Sequence, residues 1–282
     1  MKKNISFYIP AYNAEKTIAK SITSIQNQSI SPDEIILIDD CSKDKTIEIV
    51  RSEYPNIKIF INKENMGLGY NRNLAIDKAR NDIVAAIDAD VILDKYWLEN
   101  LMPEIEKKNV LMCGGRMDEQ LIENKINLWR AKYYSQNWGN KLVLNPPFLF
   151  GCNTILKRSV WKKVNGYDEK LKTNGEDISF IHKIKSGTDG QIIYQPSAKC
   201  FHLQDDSIES LSKRVWRYHS FAYKIKEPSF KKLLKLSIKQ SKFFFQRFFK
   251  SLIEFDLSGI SISFKVFINF IKLEYIFLNK KK

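Results

Sequence analysis

Several things are scarce in this chain of 282 residues, and each shortage removes a class of answer. Its four cysteines, Cys41, Cys113, Cys152 and Cys200, are widely spaced and form no C-x-x-C pair. That spacing speaks against a zinc site or a disulfide framework and fits a reducing compartment. No run approaches the roughly 18 uncharged apolar residues of a membrane span. Met1-Lys2-Lys3-Asn4 leads straight into a strand-like segment, so no signal peptide is expected. Phosphate-binding glycine loops are missing as well. There is no G-x-x-x-x-G-K-[ST], and Gly67-x-Gly69 lacks the third glycine of a dinucleotide fingerprint. A phosphate ligand would have to be held another way.

Acidic residues are scarce only in one region. Residues 211–282 carry 17 Lys+Arg against 4 Asp+Glu, whereas residues 1–210 are close to neutral, although the whole chain has a formal charge of +14. Such an asymmetry concerns partners, not fold. At 44% hydrophobic and 12% aromatic residues, the chain has ample material for a core.

The stretch Ile83-Val84-Ala85-Ala86-Ile87-Asp88-Ala89-Asp90-Val91 reads as a strand buried on both faces that ends in two carboxylates. Open α/β sheets bind ligands at the carboxyl ends of their strands. Hard divalent cations take carboxylates and fill the rest of their shell with water and substrate phosphates. Asp88 and Asp90 are therefore candidate ligands for a metal that holds a diphosphate. The same strand pattern precedes them at 5–9 (expected to stop at Pro10), 34–39 (ending in Asp39-Asp40) and 57–61. Helices are expected over 14–28, 46–54 and 70–79 between these strands. Four alternations within ninety residues predict a parallel sheet wrapped by helices.

A helix over 95–107 and a strand at 110–113 follow, with Gly114-Gly115 read as a turn. Residues 116–150 are irregular and aromatic-rich, with Trp129, Tyr133, Tyr134, Trp138, Phe148 and Phe150. Core packing is the ordinary use of such residues; an acceptor-side wall on which sugars stack is the sharper one. Further strands are expected at 151–156, 192–194 and 198–202, the last ending in His202. Glu176-Asp177 opens a helix, where acidic residues commonly serve as macrodipole partners.

Taken together, Tyr8-Ile9-Pro10-Ala11-Tyr12-Asn13, Asp39-Asp40-Cys41-Ser42-Lys43-Asp44-Lys45-Thr46, Asn65-Met66-Gly67, Arg72-Asn73, Asp88-Ala89-Asp90, Gly175-Glu176-Asp177 and His202 stand in the order and spacing of family 2 glycosyltransferases. The chain resembles that family over residues 4–220. The resemblance implies a GT-A fold, a Rossmann-like, mainly parallel mixed sheet flanked by helices. It also implies transfer with inversion from a nucleotide-sugar donor, most often a UDP-sugar, with Mn²⁺ or Mg²⁺. Pro10, Ala11, Tyr12 and Glu15 would line the nucleoside pocket. Asp40, with Asp39 behind it, would hydrogen-bond the base, and Arg72 would reach the diphosphate or ribose side. Asp88 would touch ribose and metal, Asp90 would ligate the metal, and His202 would add a ligand. Asp177 would be the general base, with Glu176 and Trp138 on the acceptor side. The family's polymerising members carry Gln-x-x-Arg-Trp and membrane spans; Lys213-Arg214-Val215-Trp216-Arg217 is a partial echo only, so a single-sugar transferase is expected.

The catalytic domain is placed at 1–210 and a basic helical region at 211–282. From Lys231 to Lys250 seven basic residues alternate with apolar ones, and Leu234, Ile238, Phe245, Phe248/Phe249 and Leu252 share a helical face. Helices of this kind lie in the headgroup region of anionic membranes. The expectation is a cytoplasmic protein, peripheral on the inner face of the membrane, with a glycan or lipid-linked saccharide acceptor. A nucleic-acid partner is not expected, since residues 1–210 are nearly neutral. A nucleotidyltransferase would need a glycine- and Arg/Lys-rich loop where Pro10-Ala11-Tyr12-Asn13 stands, and with Asp88, Asp90 and Asp177 all present an inactive relative is not indicated.

Overall fold

The computed structural model describes residues 4–222 and 230–279. Residues 223–229 and 280–282 of the basic region, Glu227 among them, lie outside the described residues. The chain forms two compact units: one of Met1–Gln120 with Gln136–Leu203, the other of Leu121–Ser135 with Gln204–Lys282. The partition therefore falls seven residues before the expected break at 210, and it assigns an internal segment to the second unit.

The first unit opens with β1 (Ile5–Ala11), α1 (Ile18–Gln26), β2 (Glu34–Asp39), α2 (Thr46–Glu53), β3 (Lys58–Ile61), α3 (Leu68–Lys78) and β4 (Ile83–Ile87). β1, β2, β3 and β4 pair in parallel in the order β3-β2-β1-β4. The apolar runs form central strands because both faces are covered: Phe7, Ile9, Leu37 and Ala85 pack in one cluster, Tyr8, Ile36, Ile38 and Ala86 in the other. α1 presents Ile18, Ile22 and Ile25, spaced by four and three, to the first cluster.

β1 runs on through Pro10, where the sequence predicted a stop. β4 pairs with β1 only as far as Tyr8, so on that side the missing N–H of Pro10 breaks no ladder. The run Ile83–Val91 is likewise not one strand. It divides at Asp88-Ala89-Asp90 into β4 and β5 (Val91–Leu93), and β5 pairs antiparallel with the last strand of the sheet.

After α4 (Trp97–Ile105) comes β6 (Val110–Glu119), which passes through Gly114-Gly115 where a turn was expected. The glycines serve close packing: a Cβ on Gly115 would lie 2.1 Å from the Ala198 carbonyl oxygen. α5 (Lys125–Tyr133) belongs to the second unit. β7 (Val143–Leu144), β8 (Asn153–Lys157), α6 (Arg158–Lys163), α7 (Glu176–Gly187) and β9 (Gln191–His202) return to the first. They extend the sheet as β4-β8-β6-β9-β5, with β8 antiparallel to β4 and β6 and with β6 parallel to β9.

The second unit packs α5 with α8 (Ile208–Ala222), α9 (Phe230–Ile253) and α10 (Leu257–Asn279). Its core joins Trp129, Leu211, Val215, Val266 and Phe270. The Arg247 guanidinium sits 4.6 Å from the Tyr134 ring and 5.3 Å from the Trp129 ring, and donates to the Tyr134 hydroxyl at 2.6 Å. Arg130 is buried in an ion pair with Asp206. Trp129, Tyr133 and Tyr134 thus have the core-packing use.

Candidate active site

Four chain segments meet at the carboxyl ends of β1, β2 and β4. The loops after β1 and β2 are tied to each other by side-chain and backbone bonds. Asn13 N–H donates to Ser42 Oγ (2.9 Å), Lys43 N–H to Asn13 Oδ1 (2.8 Å) and Ala14 N–H to Thr46 Oγ1 (2.8 Å). Glu15 joins the same clasp: its N–H donates to Asp44 Oδ2 and its Oε2 accepts from Lys45 N–H, both at 3.0 Å. Pro10 and Ala11 close β1 beneath this lip, and Tyr12 stands 53% exposed above it.

The two aspartates after β2 have different surroundings. Asp40 Oδ1 accepts from Met66 N–H (2.8 Å) and Asn62 Nδ2 (2.9 Å), and Oδ2 from Gly67 N–H (3.0 Å). Its carboxylate holds the Asn65-Met66-Gly67 turn in place. Asp39 is buried; its Oδ2 accepts from Ser42 N–H at 3.1 Å, and among the described residues its Oδ1 has no hydrogen-bond partner. A buried acceptor without a partner is costly unless a ligand completes it.

Arg72 is only 1% exposed and occupies the centre of the site. Its Nη2 donates to Asp88 Oδ1 (3.0 Å) and its Nε to Glu176 Oε1 (3.3 Å), so one buried cation joins the carboxylate after β4 to the start of α7. Asp177, next to Glu176, accepts from its neighbour Ile178 N–H at 2.7 Å and from Gly151 N–H at 3.2 Å. Gly151 admits this approach, since a Cβ there would lie 3.1 Å from both Arg72 Nη2 and Asp177 Cβ. Burial raises Glu176 to about 7, and the neighbouring Asp177 charge adds to it while Arg72 opposes. Burial also raises Asp177, against the two N–H bonds and Arg72. Asp88 is raised by burial too, with Arg72 opposing and Asp90 adding.

His202 closes β9 opposite Val91, with Nε2 3.3 Å from Asp90 Oδ2 and Nδ1 3.1 and 3.2 Å from the two oxygens of Glu119. Burial works against a charge on the ring, but Asp90 and Glu119 outweigh it and lift the pKa to about 9. A position stabilised for positive charge between carboxylates, with an imidazole nitrogen facing one of them, fits a cation bound by mixed oxygen and nitrogen donors. Among the described residues no group of three or more His, Cys, Asp or Glu side chains is placed to hold a metal ion by itself. A site finished by diphosphate oxygens has that character.

The structure thus brings together Asp39, Arg72, Asp88, Asp90, Glu176, Asp177 and His202. Trp138 lies elsewhere: it packs edge-on against Phe148 at 5.1 Å beside the sheet, and its indole N–H is spent on the Phe148 carbonyl (2.9 Å). Sequence reasoning missed Glu119, hidden behind the glycine pair read as a turn. It also gave no role to Tyr8, quoted only within a motif, or to Tyr167, buried tyrosines whose hydroxyls burial pushes up against the opposing Arg72 guanidinium.

The profile of Glycosyl transferase family 2 matches residues 6–164. An uncharacterized glycosyltransferase of Haemophilus influenzae is 32% identical over 188 residues, which is 64% of this chain and 58% of that protein. A chondroitin synthase of Escherichia coli is 34% identical over 185 residues, 64% of this chain and 26% of that protein. The chain therefore spans little more than half of one of these relatives and about a quarter of the other. In fold it is similar to a mannosyltransferase of Pyrobaculum calidifontis solved with GDP-Man and Mn²⁺. That match has a TM-score of 0.57 at 17% identity and covers 93% of this chain and 73% of the other. The sheet and its flanking helices are those of the GT-A fold.

Proposed function

The chain belongs to glycosyl transferase family 2, and from that premise we propose that it moves one sugar from a nucleotide-sugar donor to an acceptor hydroxyl, inverting the anomeric centre. The observation that supports this reading is the division of carboxylates about Arg72. Arg72 pairs through Nη2 with Asp88, beside Asp90 and His202, and through Nε with Glu176, whose neighbour Asp177 is held by Gly151 N–H.

The donor's base would meet Asp39, whose free Oδ1 suits an N–H on the base edge; the engaged Asp40 would support it by fixing the Asn65–Gly67 turn. An imide N–H of uracil would satisfy that acceptor, in keeping with the UDP-sugar donor that the resemblance implies. Pro10, Ala11, Tyr12 and the Glu15 clasp would wall the nucleoside pocket. Arg72 would act on the donor through Asp88, holding it against the ribose and metal side. Asp88, Asp90 and His202 would hold Mn²⁺ or Mg²⁺, and such a cation stabilises charge on a departing diphosphate.

In the transfer step the acceptor oxygen bonds to the anomeric carbon while that carbon's bond to the diphosphate breaks, and the hydroxyl proton passes to Asp177. The raised pKa of Asp177 makes it a better proton acceptor than an exposed aspartate. Glu176 would hold Arg72 on the acceptor side. No covalent sugar–enzyme intermediate is required.

In the second unit, Leu234, Ile238, Phe245, Phe249 and Leu252 on α9 are each about half exposed or more, beside exposed Lys235, Lys239, Lys242 and Lys250. Among the described residues no helix is long and apolar enough to cross a membrane. This face would rest on the anionic cytoplasmic surface of a membrane and meet a lipid-linked saccharide acceptor there. Incubating the protein with a panel of nucleotide-sugars and Mn²⁺ tests the activity. Release of one nucleoside diphosphate by the parent and not by Asp177→Asn supports it; equal release by both removes Asp177 as the base.

A further inference from the structure

The ladder between β6 and β9 contains a step that bears on His202. Register runs through Gly115↔Gln195 and resumes at Arg116↔Lys199, so Pro196, Ser197 and Ala198 have no counterpart on β6. Bulges of this kind re-aim side chains and cluster beside active sites. Proline suits such a place because it lacks the N–H that a regular ladder would need. Gly115 is the residue that admits the bulge, since any Cβ there would strike the Ala198 carbonyl oxygen. Had the earlier register continued, Glu119 would stand beside Lys199; beyond the step it stands beside His202.

The consequence is a carboxylate locked onto one face of the imidazole. The Glu119 and His202 side chains are each 5% exposed, and both glutamate oxygens lie within 3.2 Å of Nδ1. A carboxylate there keeps a hydrogen on Nδ1 and turns Nε2 toward Asp90, 3.3 Å away, where a bound cation would take the place of the second ring hydrogen. Histidines that bind metals nearly always have their other ring nitrogen held by a carboxylate, carbonyl or water, and losing that partner costs about 10- to 100-fold in metal affinity.

We infer that Glu119 is a positioning residue for the cation site, acting through His202 by fixing its tautomer and ring orientation, and that the Pro196–Ala198 bulge exists to bring the two together. This rests on the reading that His202 faces the cation with Asp90. A purely structural Glu119 would staple β6 to β9 and affect stability alone.

The test measures Mn²⁺ affinity, with and without UDP, by the EPR signal of free Mn²⁺ for the full chain and for Glu119→Ala, Glu119→Gln and His202→Ala. UDP binding in EDTA and thermal melting are followed alongside. We expect His202→Ala to weaken Mn²⁺ binding at least about tenfold and Glu119→Ala to weaken it about 10- to 100-fold. Glu119→Gln, which still accepts from Nδ1, should fall in between, and none should alter UDP binding in EDTA. Nitrogen NMR on the Mg²⁺-loaded parent should show hydrogen on Nδ1 of His202. Should Glu119→Ala fail to fold, the near-isosteric Glu119→Gln decides. Unchanged Mn²⁺ affinity in both Glu119 variants, with His202→Ala weakened, overturns the inference and leaves the metal reading standing. Unchanged affinity in His202→Ala, or no Mn²⁺ binding by the parent, overturns the metal reading and the inference with it.

Discussion

At Asp177 the chemistry depends on one proton. Asp177→Asn keeps the shape, has one acceptor oxygen for the two N–H groups of Gly151 and Ile178, and cannot take that proton, so transfer should fall about 10²–10⁴-fold. Nucleotide affinity should be kept, since the reading gives Asp177 the acceptor proton and no contact with the nucleotide; a parallel loss of both would mean a binding role. Protonation disables a carboxylate base, so the rate should fall as pH drops. Because burial raises Asp177, the acid limb should lie above the ordinary aspartate range. Glu176→Gln removes a neighbouring negative charge and should move that limb to lower pH. A limb that moves upward in this variant would contradict the assignment. In the second unit His219 is held neutral by burial, then by Arg247 and Lys239, with its pKa lowered from 6.5 to about 4. The unfolded chain takes up that proton first, so stability is complete above pH 6.5 and is lost as pH falls toward 4. Replacing His219 with Phe should flatten the dependence of Tm on pH in that window, a change on the order of 3 kcal/mol across it; an unaltered slope would show that His219 does not carry it.

Among the elements, the bulge in β9 is the most exacting. Gly115→Ala must push the Ala198 carbonyl aside, which should lower stability by about 1–3 kcal/mol and weaken Mn²⁺ binding as His202 shifts; a melt and an affinity equal to the parent's would dispute the packing argument. α9 makes a separate claim. Each lysine near an anionic surface adds about 1 kcal/mol, so reversing Lys235, Lys239 and Lys242 to Glu should reduce sedimentation with phosphatidylglycerol vesicles more than tenfold. Parent protein that ignores such vesicles would leave α9 without this role. These elements were unevenly legible beforehand. β2 and β4 announce themselves because strands covered on both faces must be continuously apolar, and Glu34–Asp39 was placed to the residue. β6 was cut short because Gly114-Gly115 resembles a turn in one dimension and is a close contact in three. α5 went unseen because its apolar residues point into helices that lie more than seventy positions away in sequence.

Across the whole molecule, motif residues far apart in sequence converge because parallel strands deliver their carboxyl ends to one edge. That much follows from the alternation of strands and helices, and the resemblance supplied the roles. What sequence could not supply was the pairing of charges. Only the structure shows Arg72 paired with both Asp88 and Glu176, and only the structure shows the Asp40 oxygens accepting from Met66, Gly67 and Asn62. The central claim is that this cluster is a metal-dependent nucleotide site. Thermal unfolding with UDP and with GDP, each in Mn²⁺ and in EDTA, for the parent and for Asp90→Ala, tests it most directly. A ligand at 100 times its Kd adds about 2.7 kcal/mol. The account predicts a stabilising shift with one nucleotide that EDTA and Asp90→Ala each cut by more than about half, the remainder being metal-free binding; a shift indifferent to EDTA and to Asp90, or none with either nucleotide, would contradict it.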